Sequence, residues 1–201
     1  INSRIQRHAE NAVEQHLQYE LQKVFTKNNA KWKNPPFSDD LKKSQIDTII
    51  ARAVRQSMTY KKLVGKACSY CERPSRYISK TSEGYECSYC STISPFKTKR
   101  EIDEILHKKH KTKVFDWQTP SKEKDTILST YDSVKYYKGI IRAGMMSIDP
   151  HNGYVKSWVG GPNFKHFKYD MVKKGTRQVG STFKPFVYAT ALESGILDPC
   201  Y

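Results

Sequence analysis

Four of the five cysteines lie close together in the sequence, and their spacing constrains the local fold more than any other feature. Cys68, Cys71, Cys87 and Cys90 form two Cys-x-x-Cys pairs separated by residues 72–86, and the tetrapeptide Cys-Ser-Tyr-Cys occurs in both pairs. Two such pairs can close a tetrahedral site around one Zn²⁺ and leave no position open for catalysis. The spacing therefore predicts a structural zinc site at these four thiols.

The segment that carries this quartet, residues 66–96, is too small to fold on a hydrophobic core alone. It is interrupted by Pro74, Gly84 and Pro95 and shows little helical periodicity. Because about 30 residues with few apolar side chains bury little surface, the segment needs a metal ion or disulfide bonds to fold. We interpret it as an inserted module. Cys200, far from the quartet, is expected to be a buried thiol.

The charge balance favours anionic partners. The chain of 201 residues has 35 Lys and Arg against 20 Asp and Glu, a net charge of +15, which attracts nucleic acid, phospholipid or an acidic polymer. Hydrophobic residues make up only 37%, so the core is expected to be thin. No apolar run approaches the ~18 residues that cross a bilayer. A start at Ile1 and an end at Tyr201 are interpreted as those of a piece of a longer protein.

Apolar periodicity predicts helices on both sides of the module. Residues 3–25 have the pattern of an amphipathic helix that begins with a capping box of Ser3 and Gln6. A second helix is expected to begin at Ser38 and to run to about Lys62.

After the module, Thr98 and Glu101 form another capping box and predict a short helix that ends near His110. Residues 113–117 are expected to form a strand. The polar stretch 118–124 is expected to separate the two halves of the chain.

In the second half, Asp132 is expected to cap a helix, and a β-hairpin is expected to turn at residues 150–153. A last helix is predicted from Ser181 to about Ser194, followed by Gly195. The pattern as a whole is α+β. The assigned domains are a helical interdomain linker (1–65), the four-cysteine module (66–96), a helix and strand that return to the linker (97–128), and a last unit (129–201).

The start of the last helix carries a serine and a lysine in a reactive spacing. Ser181 and Lys184 lie three residues apart, so their side chains project from one face of the helix within hydrogen-bond reach. A serine hydroxyl becomes a nucleophile when a neighbour takes its proton, and a lysine does so only if its pKa falls toward neutrality. Burial and the positive end of the helix both act in that direction.

The spacing alone is a weak signal, because Ser-x-x-Lys occurs twice more in the chain. Pro95 interrupts the first copy, and the second lies in the polar stretch. The copy at Ser181 follows Gly180, precedes Pro185 and opens an apolar helix. Context therefore selects this copy among the three. On composition and spacing alone, a helix N-cap at Ser181 beside a solvated Lys184 is the favoured interpretation, and a nucleophile and base pair is the alternative.

The residues around this pair resemble a known family. RQVGSTFKPF, residues 177–186, closely resembles the active-site serine motif of penicillin-binding transpeptidases, although Val179 stands where many relatives have Pro. AGMMSIDPHNGYVKSWVGG resembles the two N-terminal strands of their transpeptidase domain, and YDSVKYYKGIIRAG resembles the approach to it. RIQRHAENAVEQHLQYELQKVF resembles the helix that joins the glycosyltransferase to the transpeptidase in class A, bifunctional penicillin-binding proteins. The four-cysteine module is not part of the family pattern.

This resemblance implies the start of a penicillin-binding-protein/β-lactamase-like transpeptidase domain. Ser181 would attack the penultimate D-Ala carbonyl of a peptidoglycan stem peptide, and Lys184 would accept its proton. Penicillin and other β-lactams would acylate the same serine. The family's Ser-x-Asn and Lys-Thr/Ser-Gly motifs are expected beyond Tyr201, and the glycosyltransferase activity before Ile1, so this piece is expected to be inactive.

The resemblance also implies a location on the extracytoplasmic (periplasmic) face of the cytoplasmic membrane, with the anchor in a segment outside this chain. Stem peptides and β-lactams are the expected partners, together with an envelope protein docked on the module. That compartment is oxidising, so two disulfides are the alternative to zinc at the quartet.

The sequence also allows a second function, that of a zinc-ribbon module that binds nucleic acid. The net charge and the cysteine quartet favour it, as do tyrosines interleaved with basic residues. These residues are Tyr70, Tyr77, Tyr85 and Tyr89 with Arg73, Arg76 and Lys80. The reading leaves the serine helix and the hairpin before it unexplained, so nucleic acid is not the expected partner.

Overall fold

A computed structural model describes residues 1–198, and within them the chain is α+β, as predicted. Three small antiparallel sheets have the strand orders β1-β2-β3, β4-β5 and β6-β7. The helices are α1 (Ser3–Gln15), α2 (Gln22–Asn29), α3 (Lys43–Gln56), α4 (Met58–Leu63), α5 (Lys99–His107), α6 (Thr130–Lys138) and α7 (Lys184–Glu193). The strands are β1 (Ile78–Lys80), β2 (Tyr85–Cys87), β3 (Ile93–Ser94), β4 (His110–Phe115), β5 (Glu123–Leu128), β6 (Met145–Ile148) and β7 (Val155–Val159).

The predicted first helix is present and longer than expected. A π-helical segment, His16–Leu21, joins α1 to α2 without a break in the helical backbone. The expected capping box of Ser3 and Gln6 is wrong. Asn2 is the N-cap, and its Oδ1 accepts the backbone N–H groups of Arg4 and Ile5 at 3.0 and 3.2 Å.

Gln6 instead binds the exposed edge of β7. Its Oε1 accepts the backbone N–H of Trp158 at 2.7 Å, and its Nε2 donates to the Trp158 carbonyl at 2.9 Å. The backbone N–H of Asn2 donates to the carbonyl of Lys156 at 2.8 Å. The start of the helix therefore supplies hydrogen-bond partners to backbone groups at the edge of β7, as a neighbouring strand would.

Two further glutamines of the same helix bind other backbone segments. Gln18 Nε2 donates to the Trp117 carbonyl at 2.8 Å. Gln22 Nε2 donates to the Gly139 carbonyl at 2.8 Å, and its Oε1 accepts the Ile141 N–H at 2.9 Å. The long helix thus contacts three separate parts of the chain through side-chain amides.

The hydrophobic core lies between this helix, the end of β4 and the loop before the last helix. Leu17, Phe115, Trp117 and Phe167 form its buried cluster. Phe115 is fully buried and packs edge-on against Trp117 and Phe167, with ring centroids 4.8 and 5.1 Å apart. The core is small, as the low hydrophobic content predicts.

The second predicted helix begins later than expected, at Lys43 rather than Ser38. The Ser38 hydroxyl donates to Asp40, and Asp39 accepts the backbone N–H of Lys33 at 2.8 Å. These polar side chains stabilise the preceding turn instead of a helix start. The helical region is also split at Ser57, whose hydroxyl accepts a backbone N–H of α4.

The capping box that opens α5 is confirmed. The Thr98 N–H donates to Glu101 Oε2 at 2.7 Å, and the Glu101 N–H donates to Thr98 Oγ1 at 3.3 Å. Hydrogen bonds from the Thr98 hydroxyl, at 2.7 Å, and from the Thr98 N–H lower the pKa of the Glu101 carboxyl. The helix ends at His107, and His110 already belongs to β4.

The strand expected at residues 113–117 is confirmed as part of β4, but the polar stretch 118–124 does not separate two halves. It forms the turn of the β4-β5 hairpin, in which the Asp116 N–H donates to the Lys122 carbonyl at 3.0 Å. Lys122 has a φ of 57°, in the left-handed region that closes tight turns. The strand β5 was not predicted, because its polar residues are typical of a linker.

The helix α6 begins three residues earlier than expected. Ser129 is its N-cap, and Asp132 is the third helical residue of a capping box. Asp132 Oδ2 accepts the Ser129 hydroxyl at 2.8 Å, a hydrogen bond that lowers the pKa of the Asp132 carboxyl.

The predicted hairpin is confirmed, since β6 and β7 pair antiparallel across the expected turn. The predicted last helix is also confirmed as a 3-10 turn, Gly180–Phe183, that continues into α7, and Gly195 has a φ of 70° just after it. In residues 1–198, we find no helix with the length and apolar character needed to span a membrane.

We predict that Gln22→Ala lowers the free energy of unfolding by about 2 kcal/mol, because two half-buried backbone groups lose their hydrogen-bond partner. Gln15→Ala is the matched control. Gln15 lies exposed on the same helix, and its side chain makes no hydrogen bond within the described residues. Urea unfolding of both variants measures the difference, and equal unfolding midpoints would contradict the role assigned to Gln22.

Candidate metal site and candidate catalytic helix

The fold brings the four predicted thiols into one cluster. The Sγ atoms of Cys68, Cys71, Cys87 and Cys90 all lie within 4.8 Å of one another. Two of the separations are 3.5 Å, from Cys68 to Cys90, and 3.7 Å, from Cys71 to Cys87. Zn–S bonds of about 2.3 Å place sulfur atoms about 3.8 Å apart at the corners of a tetrahedron. The quartet therefore has the dimensions of a closed metal site.

The two Cys-x-x-Cys pairs have the same local backbone. The residue after each pair, Glu72 or Ser91, has a positive φ of 59° or 55°. In the first pair, the backbone N–H groups of Tyr70 and Cys71 both donate to Cys68 Sγ at 3.4 Å. The repeated Cys-Ser-Tyr-Cys sequence thus forms the same turn twice, one on each side of the site.

The thiols differ in acidity. Hydrogen bonds from the Thr92 side chain and backbone lower the pKa of Cys90 to about 6. At Cys71, the backbone of Arg73 favours the thiolate, but burial and the neighbouring thiols outweigh it and raise the pKa of Cys71 to about 12. A metal ion that binds this quartet therefore displaces protons from the cysteines.

The module is held against the helices before it by close packing. Gly65 has a φ of 68°, and a Cβ at this position would lie 2.3 Å from the ring of Tyr85. Tyr85 in turn packs edge-on against Phe96, with ring centroids 4.9 Å apart. Lys62 on α4 pairs with Glu72 at 2.8 Å. Only glycine fits at position 65, directly before the module.

We predict that Gly65→Ala lowers the free energy of unfolding by more than about 2 kcal/mol, since both the φ and the Tyr85 ring oppose a Cβ. The matched control is Gly153→Ala, which has a φ of 71° but no atom within 4 Å of its Cβ. The control should lower the free energy of unfolding by about 1 kcal/mol, which is the penalty for a Cβ at positive φ alone. Both free energies of unfolding are measured by thermal or urea unfolding. Equal losses in the two variants would show that the Tyr85 ring moves to accommodate the added methyl group.

The predicted nucleophile and base lie at the start of the last helix, as expected. Ser181 is in the 3-10 turn, and Lys184 is the first residue of α7, followed by Pro185. Both residues are exposed, and within residues 1–198 their side chains make no hydrogen bond to each other. The structure therefore gives the expected helix position and spacing, but it does not bring the hydroxyl and the amine together.

The helix that carries this pair exposes its apolar side chains. Phe186 is 65% exposed, Val187 54% and Tyr188 57%, although all three would ordinarily be buried in a folded domain. No residue of α7 is buried within the described part of the chain. The environment that would bury the Lys184 amine is not formed by residues 1–198.

A hydrogen-bonded chain that the sequence did not reveal connects the β4-β5 hairpin to the loop before the serine helix. The Phe115 N–H donates to the Tyr137 hydroxyl at 3.1 Å, which lies 2.9 Å from His166 Nδ1. His166 Nε2 lies 2.8 Å from Glu123 Oε1. Hydrogen bonds from Lys165 and His166 lower the pKa of the Glu123 carboxyl. No local motif marks these residues, because they meet only in the fold.

Comparisons with known proteins find a family match for part of the chain. Residues 89–141, from the second cysteine pair to the end of the segment after α6, match the model of the penicillin-binding protein middle domain. Residues 66–88 of the module lie outside that match.

Part of the chain is similar to penicillin-binding protein 1A of several bacteria. The chain is 41% identical to penicillin-binding protein 1A of Pseudomonas aeruginosa over 54 residues, which is 27% of this chain and 7% of that protein. It is 45% identical to penicillin-binding protein 1A of Vibrio cholerae over 51 residues, 25% of this chain and 6% of that protein. It is 48% identical to penicillin-binding protein 1A of Mycobacterium tuberculosis over 56 residues, 28% of this chain and 6% of that protein. No solved structure matches the chain.

The matched part of the chain is similar to class A penicillin-binding proteins, in agreement with the sequence resemblance. The matched part covers about 6–7% of the length of these relatives.

Proposed function

We propose that this chain is the part of a bifunctional cell-wall synthase that runs from the interdomain linker into the start of the transpeptidase domain, with Ser181 as its nucleophile. The observation that carries the proposal is the sequence from Gly180 to Pro185 at the start of a helix, directly after a β-hairpin and its loop. The other two Ser-x-x-Lys copies have no such context. The ranges 1–65, 66–96, 97–128 and 129–201 are proposed as its segments.

The proposed reaction is acyl transfer in two steps. Ser181 Oγ attacks the penultimate D-Ala carbonyl, Lys184 accepts the hydroxyl proton, and the bond to the terminal D-Ala breaks as that residue leaves with a proton. The amine of a neighbouring stem peptide then attacks the acyl-enzyme and releases Ser181. The backbone N–H of Ser181 supplies one hydrogen bond to the developing oxyanion, a contact type worth about 3 kcal/mol. A β-lactam carbonyl would be attacked in the same way.

Catalysis belongs to the whole protein in this proposal. Lys184 must be buried to lose its proton near neutral pH, and both it and the apolar side chains of α7 are exposed in residues 1–198. The residues that bury Lys184 and the apolar side chains of α7 would come from the rest of the transpeptidase domain, which would also supply the Ser-x-Asn and Lys-Thr/Ser-Gly motifs. Glycosyltransferase activity and the membrane anchor are proposed for other parts of the same protein, which would place this chain on the periplasmic face of the cytoplasmic membrane.

We predict that fluorescent penicillin labels the full-length protein and that Ser181→Ala abolishes the label, because the acyl bond forms at its Oγ. Lys184→Ala should slow labelling at least about a hundredfold, the usual contribution of a general base. Ser121→Ala, at another Ser-x-x-Lys copy, is the matched control and should label normally. The readout is gel fluorescence against time, and a label that persists in Ser181→Ala would end the assignment.

We also propose that the quartet holds one structural Zn²⁺. The donor set supports this proposal, since four sulfur atoms lie within 4.8 Å of one another with separations close to those of a tetrahedral site. Four thiolates would fill the coordination of the ion, so its contribution would be to fold the module rather than to catalyse a reaction. Two disulfides, from Cys68 to Cys90 and from Cys71 to Cys87, are the alternative pairing by proximity.

We predict about one zinc per chain by elemental analysis after purification under reducing conditions. Cys87→Ser should lose the metal and make the module sensitive to protease, because a three-thiolate site binds zinc more weakly and the module has little core of its own. Cys200→Ser, a cysteine outside both pairs, is the control and should retain the metal. Cys200 lies outside the described residues. A folded, metal-free chain without free thiols at the quartet would establish disulfides instead.

A further inference from the structure

Two arginines and two tyrosines of the module form a compact group that the proposed function does not use. The guanidinium of Arg73 lies 3.8 Å from the ring centroid of Tyr89 and 5.2 Å from that of Tyr77. The guanidinium of Arg76 lies 5.1 Å from the same Tyr77 ring. The two tyrosine rings contact each other edge-on, with centroids 6.4 Å apart. We call these four residues the Arg–Tyr cluster.

The positive charge of this cluster has no carboxylate partner in the part of the chain that the structure describes. Within residues 1–198, neither Arg73 nor Arg76 forms an ion pair with a carboxylate, and the adjacent Glu72 is paired with Lys62. Because both guanidiniums contact one ring, they lie within about a Debye length of each other, ~10 Å at 0.1 M salt. Two like charges at this separation repel, and an anion between them would remove the repulsion and accept their planar N–H donors.

The cysteine turns fix the position of the cluster. The Cys68 N–H donates to the Arg73 carbonyl at 2.9 Å, and the Ser88 N–H donates to the Tyr77 carbonyl at 2.9 Å. Tyr89 lies inside the second Cys-x-x-Cys pair. The side chains are therefore presented by a rigid backbone, which reduces the conformational entropy lost on binding. This holds whether the thiols are joined by zinc or by disulfides.

Exposed aromatic and apolar side chains accompany this charge on the module. Tyr70 is 79% exposed, Tyr89 61% and Ile93 45%. Tyrosines with basic residues are typical of the interface between lipid headgroups and acyl chains. Residues 61–113 add a broad positive potential, with 13 Lys and Arg against 6 Asp and Glu. A flat anionic surface with an apolar layer behind it matches this combination.

We propose that the Arg–Tyr cluster docks the module on a bilayer that contains anionic phospholipid, with Arg73 and Arg76 on the phosphate groups. Nucleic acid fits less well, because Arg73 covers one face of the Tyr89 ring and the edge of one tyrosine points at the other, which removes free faces for base stacking. The docking is independent of acylation at Ser181. It would hold the module, most of which lies outside the matched middle-domain range, against a membrane surface.

The test is co-sedimentation of the 201-residue chain with vesicles made of equal parts phosphatidylglycerol and phosphatidylcholine, compared with vesicles of phosphatidylcholine alone. We expect binding only to the anionic vesicles, and we expect Arg73→Gln and Arg76→Gln each to lower the partition coefficient about fivefold. Tyr89→Ala should also lower it. The backbone carbonyl of Arg73 is retained in Arg73→Gln, so metal and thiol content should match the unmodified chain, and Arg76→Gln is a second variant outside the cysteine turns.

The matched control is Arg100→Gln, which removes the same charge from an exposed arginine paired with Glu104 on α5. It should reduce binding less than twofold. An equal loss in Arg100→Gln and in the cluster variants would show diffuse attraction and overturn the proposal, as would equal binding to both kinds of vesicle. Two further arms use single-stranded DNA and inorganic phosphate as probes. Binding of either that depends on Arg73, without binding to anionic vesicles, would overturn the lipid assignment.

Discussion

The packing of one long helix on a small aromatic core holds the rest of the structure in place. Leu17 contributes the apolar contact with Phe115 and Trp117, and the amides of glutamines along the same helix bond to backbone that would otherwise lack a partner. A chain with 37% hydrophobic residues has little apolar surface to bury. Specific hydrogen bonds therefore do much of the positioning that a larger core would do, and each one removes an unsatisfied polar group.

The sequence predicted those elements whose signals are local. Thr98 and Glu101 form the expected capping box because both partners belong to one turn. The box expected at Ser3 is wrong because the amide of Gln6 binds Trp158, a residue 152 positions away, and no window along the chain contains that information. The strand β5 was missed for a related reason: its polar residues are stabilised by pairing with β4, and propensity alone does not show a partner.

The two candidate sites were predictable to different degrees. The cysteine quartet follows from spacing, because a Cys-x-x-Cys turn places both sulfurs on one side of the backbone and two turns suffice to enclose an ion. The spacing also located Ser181 and Lys184 at a helix start, but it says nothing about burial, which depends on residues distant in the chain. The Arg–Tyr cluster and the chain from Tyr137 through His166 to Glu123 arise from tertiary packing and have no sequence signature.

The continuity of the first helix through its π-helical segment has a mechanical consequence. One continuous helix is hydrogen-bonded near its start to the edge of β7 and near its end to the backbone of Gly139 and Ile141. A rotation of this helix about its axis would strain both sets of hydrogen bonds. The helix therefore connects the β6-β7 hairpin that precedes Ser181 to the segment after α6 through these hydrogen bonds.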